Sequence, residues 1–186
     1  MRCIVIGTSG SGKTTLAQEL AQSLEAPYVE LDALHWSENW TPNSTARFLD
    51  SVALATQGPR WVVDGNYSTV RDVVWPRASH IVWLNFSRRV VFSRIVWRTV
   101  QRALFKEPLW HGNTESLRKA FLSRQSILLW SFSTFSKNRT KYAALRKDPT
   151  YSHLVWTELK SPNEAQAFLA NARQTSDEEY GVGSDS

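Results

Sequence analysis

The sequence predicts an α/β fold in which a parallel, doubly wound sheet is covered by helices on both faces. Short apolar runs alternate with segments of helical periodicity along the chain. These runs are continuous, as expected of parallel strands buried on both sides. A glycine-rich loop follows the first run and opens a helix. With 186 residues, 42% of them hydrophobic and 21% charged, the composition is that of a globular protein with a sizeable core.

The elements are placed from these patterns in chain order. We expect five strands, at residues 3–6, 28–31, 61–64, 80–86 and 154–157. We expect helices at residues 13–24, 45–56, 88–105, 115–145 and 162–172, with a break allowed near residues 137 and 138. The segment KEPLWHGNT at 106–114 contains proline and glycine and is predicted to be a loop or lid.

Charge divides the chain into a basic body and an acidic end. The net charge is +5, but the last twelve residues hold four acids and no base, which leaves +9 on residues 1–174. We expect residues 1–174 to form one domain, with a lid at about 106–140, and residues 175–186 to be a disordered acidic tail. A basic body indicates anionic partners such as nucleotides, phosphorylated metabolites, nucleic acid or a membrane surface.

Other features exclude several classes of protein. The single cysteine, Cys3, excludes a disulfide framework and a multi-thiolate zinc site within one chain. The longest charge-free apolar stretch, residues 125–136, is far shorter than a membrane span, so no membrane partner is expected. The beginning of the sequence has no extended apolar signal region. We therefore expect a cytoplasmic protein.

The strongest motif is GTSGSGKT at residues 7–14, which matches the pattern G-x-x-x-x-G-K-[ST]. In such a loop, backbone amides converge on phosphate oxygens, and the following helix points its N-terminus at the same charge. Lys13 is expected to reach the β- and γ-phosphates, the Thr14 hydroxyl to bind Mg²⁺, and the Thr15 hydroxyl to approach the α-phosphate. The predicted ATP-binding residues are Gly7, Thr8, Ser9, Gly10, Ser11, Gly12, Lys13, Thr14 and Thr15.

A dinucleotide-binding loop is the weaker alternative. Gly10 and Gly12 supply G-x-G, but Thr15 stands where a third glycine or alanine belongs. Asp32 lies near the spacing of a ribose-binding acid, so this alternative is less favoured and not excluded.

Two acids follow predicted strands. Asp64 ends the run WVVD and precedes a glycine, the position of a carboxylate that holds a magnesium shell; a simple turn role is the alternative. Asp32 follows the second strand, where it could take a proton from an acceptor hydroxyl; helix capping is the alternative. His35 is more weakly placed, since a histidine beside tryptophans is more often structural.

Arginines and tryptophans supply further candidates. Arg94, Arg98 and Arg102 repeat every four positions and share one helix face, and we expect Arg94 and Arg98 to clamp phosphates and stabilise transition-state charge. Arg118, Arg124 and Arg139 are further candidates on the lid side. Trp36, Trp40 and Trp110 lie in predicted loops and could stack on a base or sugar ring, although core packing is the commoner role.

Four segments together resemble a known family. They are the phosphate loop, LDALHW at 31–36, WVVDGNYS at 61–68, and FSR at 86–88 with Arg94 downstream. Over about residues 1–170 the chain resembles adenylate-kinase-related P-loop proteins, closest to those labelled DNA topology modulation proteins. The resemblance implies a P-loop NTPase fold like that of the nucleoside monophosphate kinases, with five parallel strands, ATP in the first loop and an arginine-bearing helical lid.

The chain departs from that family at the acceptor side. Nucleoside monophosphate kinases continue as Asp-Gly-Phe-Pro-Arg, whereas Asn66, Tyr67 and Ser68 follow Gly65 here, so the monophosphate contact is absent unless Arg71 replaces it. The acid at Asp32 is instead similar to that of shikimate and gluconate kinases, where it meets an acceptor hydroxyl. The predicted acceptor-binding residues are Asp32, His35, Trp36, Gly65, Asn66, Tyr67 and Arg71.

These observations favour a small-molecule kinase that moves the γ-phosphoryl group of ATP to a nucleotide, nucleoside or hydroxyl metabolite. The expected catalytic residues are Lys13, Asp32, Arg94 and Arg98, and the expected cofactors are ATP and Mg²⁺, with Thr14 and Asp64 at the metal. The alternative is a nucleic-acid-associated P-loop NTPase that affects DNA topology, motivated by the basic body and the family label. A catalytically weak nucleotide-binding regulator is a third possibility.

Overall fold

The computed structural model describes residues 1–105 and 127–181 of the chain. The expected lid loop at 106–114, Trp110, Arg118 and Arg124 lie outside the described residues. Within the described ranges, no helix combines the length and the apolar character that crossing a bilayer requires.

A five-stranded sheet in which all strands run parallel forms the centre of the fold. Its strands are β1 (Arg2–Gly7), β2 (Tyr28–Glu30), β3 (Trp61–Asp64), β4 (His80–Leu84) and β5 (Val155–Leu159). The order across the sheet is β2-β3-β1-β4-β5. The predicted parallel, helix-covered sheet is thus confirmed, with shifts of one or two residues at several strand ends.

The strand order creates a crevice beside β1. From β1 the chain crosses to β2 and returns to β3, and later passes to β4 on the other side of β1. Val5 pairs in register with Asp64 of β3, and Gly7 pairs with Leu84 of β4. Because ligands of open α/β sheets bind where the strand order reverses, the loop after β1 lies at the expected binding position.

Seven α-helices are described, together with four short 3₁₀ turns. The helices are α1 (Lys13–Ser23), α2 (Leu31–His35), α3 (Thr45–Ala55), α4 (Arg71–Val74), α5 (Arg88–Phe105), α6 (Ile127–Leu145) and α7 (Pro162–Gly181). The 3₁₀ turns are Glu38–Trp40, Ser68–Val70, Trp75–Arg77 and Pro149–Tyr151.

Four helical segments differ from the sequence prediction. Helices α2 and α4 were not predicted, because five and four residues are too few to show a helical period. Helix α6 continues through residues 137 and 138 without the allowed break. Helix α7 ends at Gly181 and not near 172, so it includes residues 175–181 of the segment expected to be a disordered tail.

The core has two layers, one on each face of the sheet. Alternate side chains of β1 divide between them: Ile4 and Ile6 belong to one cluster, and Cys3 and Val5 to the other. The first cluster includes Phe48 and Val52 of α3, and the second includes Leu16, Ala17 and Leu20 of α1. Helices therefore cover both faces, and the sheet presents its carboxyl edge to the crevice.

Candidate active site

The phosphate loop needs glycine at two positions for steric reasons. Gly10 and Gly12 have φ values of +80° and +92°, which side-chain-bearing residues rarely adopt. A Cβ at Gly10 would collide with the Ile95 side chain, and one at Gly12 would lie 2.8 Å from Arg94 Nη1. The loop is therefore held tightly between β1 and α5.

Helix α1 begins at this loop without a side-chain cap. Its N-cap is Gly12, which has no side chain to accept a hydrogen bond from the first turn, and that turn contains no acid. Helix α3, in contrast, is capped by Ser44, whose hydroxyl accepts a hydrogen bond from the Arg47 backbone N–H. The N-terminus of α1 thus keeps a partial positive charge that a phosphate group can satisfy.

Asn66 holds the phosphate loop from the neighbouring strand. Its side-chain oxygen accepts a hydrogen bond from the Gly7 backbone N–H at 3.2 Å, and its amide nitrogen donates to the Gly7 carbonyl oxygen. The sequence pattern predicted that Asn66 binds the acceptor. Although Asn66 borders the cleft, its amide is used to fix the first residue of the phosphate loop.

Asp64 lies under the loop in contact with Thr14. The Thr14 hydroxyl donates to Asp64 Oδ2 at 2.6 Å, and the Tyr28 hydroxyl approaches the same oxygen at 3.5 Å. Asp64 is only 5% exposed, and its Oδ1 has no hydrogen-bond partner among the described residues. Burial raises the pKa of this carboxyl, and the nearby charge of Lys13 and the Thr14 hydrogen bond oppose that rise.

The Thr14–Asp64 pair fits a magnesium ion. Mg²⁺ takes oxygen ligands, retains several waters, and is commonly held by one or two protein oxygens together with substrate phosphates. The buried, unpartnered Asp64 Oδ1 is the kind of atom that such a water shell would satisfy. No cluster of three or more His, Cys, Asp or Glu side chains that could hold a metal exists within the described ranges, so a cage made of protein alone is not found there.

Asp32 also borders the cleft and lies in the first turn of α2. Its Oδ1 accepts a hydrogen bond of 2.6 Å from the Tyr67 hydroxyl. Burial, and then the neighbouring Asp32 charge, raise the pKa of Tyr67, so the phenol stays protonated and remains a donor. The Asp32 carboxyl is therefore held in one orientation by a residue two positions beyond Gly65.

His35 packs among aromatic rings behind this pair. Its ring centroid lies 4.7 Å from that of Trp36, 5.0 Å from that of Phe48 and 4.8 Å from that of Tyr67. Unlike Trp36, His35 does not border the cleft. The structure thus places His35 where it supports Tyr67 and Trp36, and not in contact with an acceptor.

Arg71 does not border the cleft itself. Its guanidinium carbon is 5.2 Å from the centre of the Trp75 ring. It borders a small neighbouring cavity, and Gly65, Asn66, Tyr67 and Tyr142 line both that cavity and the cleft. The acceptor role of Arg71 stays a prediction.

Arg94 of α5 reaches the phosphate loop. Its Nη1 donates to the Ser11 carbonyl oxygen at 2.9 Å, and its guanidinium carbon lies 5.3 Å from the centre of the Phe86 ring. The side chain of Arg98, one turn further along α5, lies outside the described side chains. Arg139 is described on α6 and does not border the cleft.

The phosphate loop, Asp32, Asp64 and Arg94 border one open cleft of about 1070 Å³, a volume just above the usual range for ligand sites. Seven of the nine predicted loop residues border it, from Ser9 to Thr15, whereas Gly7 and Thr8 do not. Asp32, Asp64, Trp36, Gly65 and Tyr67 also border it.

Several cleft residues were missed by sequence reasoning. They are Glu19, Glu30, Ser68, Thr69, Asn138, Tyr142, Gln166 and several others. Those on α6 and α7 are at least 44 positions beyond Arg94, the last residue of the quoted motifs, and no spacing pattern in the sequence identifies them.

Comparison with known proteins supports the same architecture. A family model described as "ATPase family associated with various cellular activities (AAA)" matches residues 3–63, from β1 almost to the end of β3. A sugar kinase from Janibacter sp. HTCC2649, solved without ligand, aligns with a TM-score of 0.50 at 18% identity, over 98% of this chain and 95% of that chain. The chain has the fold of the P-loop NTPases. No curated protein matches it in sequence.

A second structural neighbour of this P-loop protein is a gluconokinase from Sinorhizobium meliloti 1021. It aligns with a TM-score of 0.49 at 21% identity, over 98% of this chain and 97% of that chain. Likeness at such identities concerns the fold. Function has to be argued from the site.

Proposed function

We propose that this P-loop protein is a kinase that transfers the γ-phosphoryl group of ATP to a hydroxyl group of a small acceptor. The observation that carries the proposal is the placement of two differently held carboxylates on one cleft. Asp64 accepts a hydrogen bond from Thr14 of the phosphate loop, whereas Asp32 accepts one from Tyr67 on the adjoining side. The first arrangement suits a metal–nucleotide complex, and the second suits an acceptor.

The phosphate loop would bind the triphosphate through its backbone N–H groups and the uncapped start of α1. Lys13, the first residue of α1, would place its ammonium group against the β- and γ-phosphates. These contacts neutralise charge and orient the γ-phosphorus, which is the main contribution that a protein makes to phosphoryl transfer.

Thr14 and Asp64 would hold magnesium. When bound, Mg²⁺ neutralises charge on the phosphate oxygens as it develops. The protein's own part is to keep the Thr14 hydroxyl and the Asp64 carboxylate together, and their 2.6 Å hydrogen bond already does so.

Asp32 would act on the acceptor. The acceptor oxygen forms a bond to the γ-phosphorus, the bond from that phosphorus to the bridging oxygen of ADP breaks, and the hydroxyl proton passes to Asp32. Since Tyr67 already bonds Oδ1, we assign the proton to Oδ2. Tyr67 is a positioning residue, because it acts on the acceptor through Asp32.

Arg94 would stabilise charge on the transferred group. It already lies within hydrogen-bond distance of the phosphate loop, and a bound phosphate would compete with the Ser11 carbonyl for the guanidinium. Arg98 is proposed for the same role from its position one helical turn later.

The fold is shared with a protein described as a sugar kinase, which agrees with a hydroxyl acceptor. The adenylate-kinase-like subtype, a relation to DNA topology and a cytoplasmic location stay predictions.

The test combines ATP binding with a transfer assay. Purified protein with Mg²⁺ and ATP is screened against hydroxylated acceptors, and phosphorylated products are detected by mass spectrometry. Lys13→Ala should weaken ATP binding and abolish transfer, whereas Lys147→Ala, which removes an exposed lysine of the loop after α6, should change neither. Intact ATP binding without transfer to any acceptor would contradict the kinase assignment. Unchanged ATP affinity in Lys13→Ala would contradict the nucleotide site itself.

A further inference from the structure

Among the residues that the structure describes, the acceptor side of the cleft is acidic. Among the described residues that border the cleft, the basic side chains are Lys13 and Arg94, and both lie at the phosphate loop. The adjoining wall, at the ends of β2 and β3 and the start of α2, carries Glu30, Asp64 and Asp32, and Glu30 pairs in register with Asp64. An acceptor with a phosphate or carboxylate group would meet like charge on this wall, at a cost in binding free energy.

The same wall carries two tryptophans. Trp36 and Trp40 both border the cleft, and their ring centroids are 5.8 Å apart with the ring planes at 80°. Trp40 is 36% exposed and, together with the neighbouring Trp36, gives this wall an accessible aromatic surface.

The backbone that presents these rings is strained. Asn39 and Trp40 have φ values of +54° and +56°, in the left-handed region that bulky residues avoid. Residues held there persist only where the surrounding structure imposes the conformation, often at ligand-binding sites.

Hydrogen bonds hold this segment, residues 36–43, which we call the tryptophan loop. The Ser37 N–H donates to the Thr41 carbonyl at 2.8 Å, and the Asn43 N–H donates to the His35 carbonyl at 2.8 Å. The Asn43 side chain accepts from the Ser37 hydroxyl and donates to the Leu34 carbonyl, both at 2.9 Å. The exposed position of Trp40 is therefore built into the fold.

We infer that the acceptor is a hydroxylated ring compound without an anionic group, in the class of sugars, amino sugars and nucleosides. One face of such a ring packs on the tryptophans, and its hydroxyl groups donate hydrogen bonds to carboxylate oxygens on the same wall. Asp32 then takes the proton of the hydroxyl that is phosphorylated. This inference rests on the proposed kinase function and specifies its substrate class.

Binding tests the inference independently of transfer. The full chain, with Mg²⁺ and a non-hydrolysable ATP analogue saturating the phosphate loop, is examined by saturation-transfer NMR against matched pairs. The pairs are glucose with glucuronate and adenosine with AMP, and glucosamine is added as a cationic ring. The uncharged and cationic rings should give signals, and the anionic partner of each pair should not. Comparison of the signals from the sugars with those from the nucleoside shows which ring is preferred.

Two variants separate the tryptophan loop from general effects. Trp40→Ala should weaken binding of the ring about tenfold, the size expected for loss of one stacking contact, and should leave affinity for the ATP analogue unchanged. Leu54→Ala removes another exposed apolar side chain, 69% exposed on α3 and outside the cleft, and should bind both ligands as the parent does. Ring binding that is unchanged in Trp40→Ala would overturn the inference.

Charge is tested at Glu30. Glu30→Lys should lower the preference for the uncharged member of each pair at least fivefold, and Glu30→Gln should have an intermediate effect. A parent protein that binds only the anionic members, or no ring at all, would overturn the inference.

The transfer assay separates this inference from the kinase function. Phosphorylation of anionic acceptors alone would contradict this inference and support the kinase function. Ring binding without transfer to any acceptor would contradict the kinase function.

Discussion

Replacing Asn66 with alanine should weaken ATP binding through the phosphate loop, although Asn66 lies outside the loop motif. The substitution removes the hydrogen bond that Asn66 accepts from the Gly7 N–H and the one that it donates to the Gly7 carbonyl. At about 1 kcal/mol for each, the two hydrogen bonds contribute about 2 kcal/mol to folding stability. For a chain of this size that corresponds to a fall in Tm of about 4–8 °C.

The loss of the two Asn66 hydrogen bonds should also lower the affinity for ATP, because the phosphate loop would no longer be fixed at its first residue. If the loop kept its phosphate-binding geometry only about one-tenth of the time, the apparent Kd for ATP would rise about tenfold. Titration calorimetry with ATP and Mg²⁺ measures that change, and thermal denaturation measures the stability loss.

Asn43 provides a matched control. Its side chain also accepts one hydrogen bond and donates another, but both lie in or next to the tryptophan loop. Asn43→Ala should therefore lower Tm by a similar amount and leave ATP affinity unchanged. If the two variants lost ATP affinity equally, or if Asn66→Ala lost none, the assignment of Asn66 to the phosphate loop would be refuted.

Three further substitutions test the other parts of the site. Tyr67→Phe removes the hydrogen bond to Asp32 and keeps the ring, so kcat should fall about tenfold or more while ATP affinity stays constant in calorimetry. Asp64→Asn should abolish magnesium-dependent ATP binding and yet raise the Tm of the free protein at neutral pH. Burial raises the pKa of Asp64, so ionisation of this carboxyl destabilises the folded protein as the pH rises past the ordinary value of 3.8. The difference in Tm between Asp64→Asn and the parent protein should therefore vanish below that pH. Arg94→Lys loses the planar guanidinium and should lower kcat about tenfold or more, whereas Arg89→Ala, an exposed change on the same helix, should have no kinetic effect.

The sequence was sufficient to predict the phosphate loop and Asp64 as neighbours. The loop has a fixed spacing that few other structures require, and the end of a buried strand is recognisable from four apolar or acidic letters. Since parallel strands end at one edge of the sheet, both motifs had to lie in the same crevice. The register of Val5 with Asp64 agrees with that reasoning.

The position of Arg71 follows from local geometry that the sequence pattern did not show. The segment that follows Gly65 turns into short helices, so Arg71 and Trp75 come to lie four positions apart on one helical face. The guanidinium then packs on the Trp75 ring. Short helices give little periodic signal, which is also why α2 was missed.

The prediction for Asn66 identified its place at the cleft and not its partner. The residue that it bonds is 59 positions earlier in the chain. Nothing in a local pattern distinguishes an amide that will bind a ligand from one that will bind the protein's own backbone, because both need the same donor and acceptor. The sheet order determines the partner of Asn66, because it brings the end of β3 against the end of β1.

Sheet order also explains why three roles fall on one short segment. Strand β3 lies between β1 and β2, so the residues after it can reach both the phosphate loop that follows β1 and the helix α2 that follows β2. Asp64 contacts Thr14, Asn66 bonds the loop at Gly7, and Tyr67 bonds Asp32 on the opposite flank. Since Asn66 hydrogen-bonds Gly7 and Tyr67 hydrogen-bonds Asp32, with no shared partner, their substitutions should have independent effects although the residues are adjacent. A double-mutant cycle on kcat/KM should therefore give additive free energies for Asn66→Ala and Tyr67→Phe, and a coupling energy above about 0.5 kcal/mol would show that the segment moves as one unit.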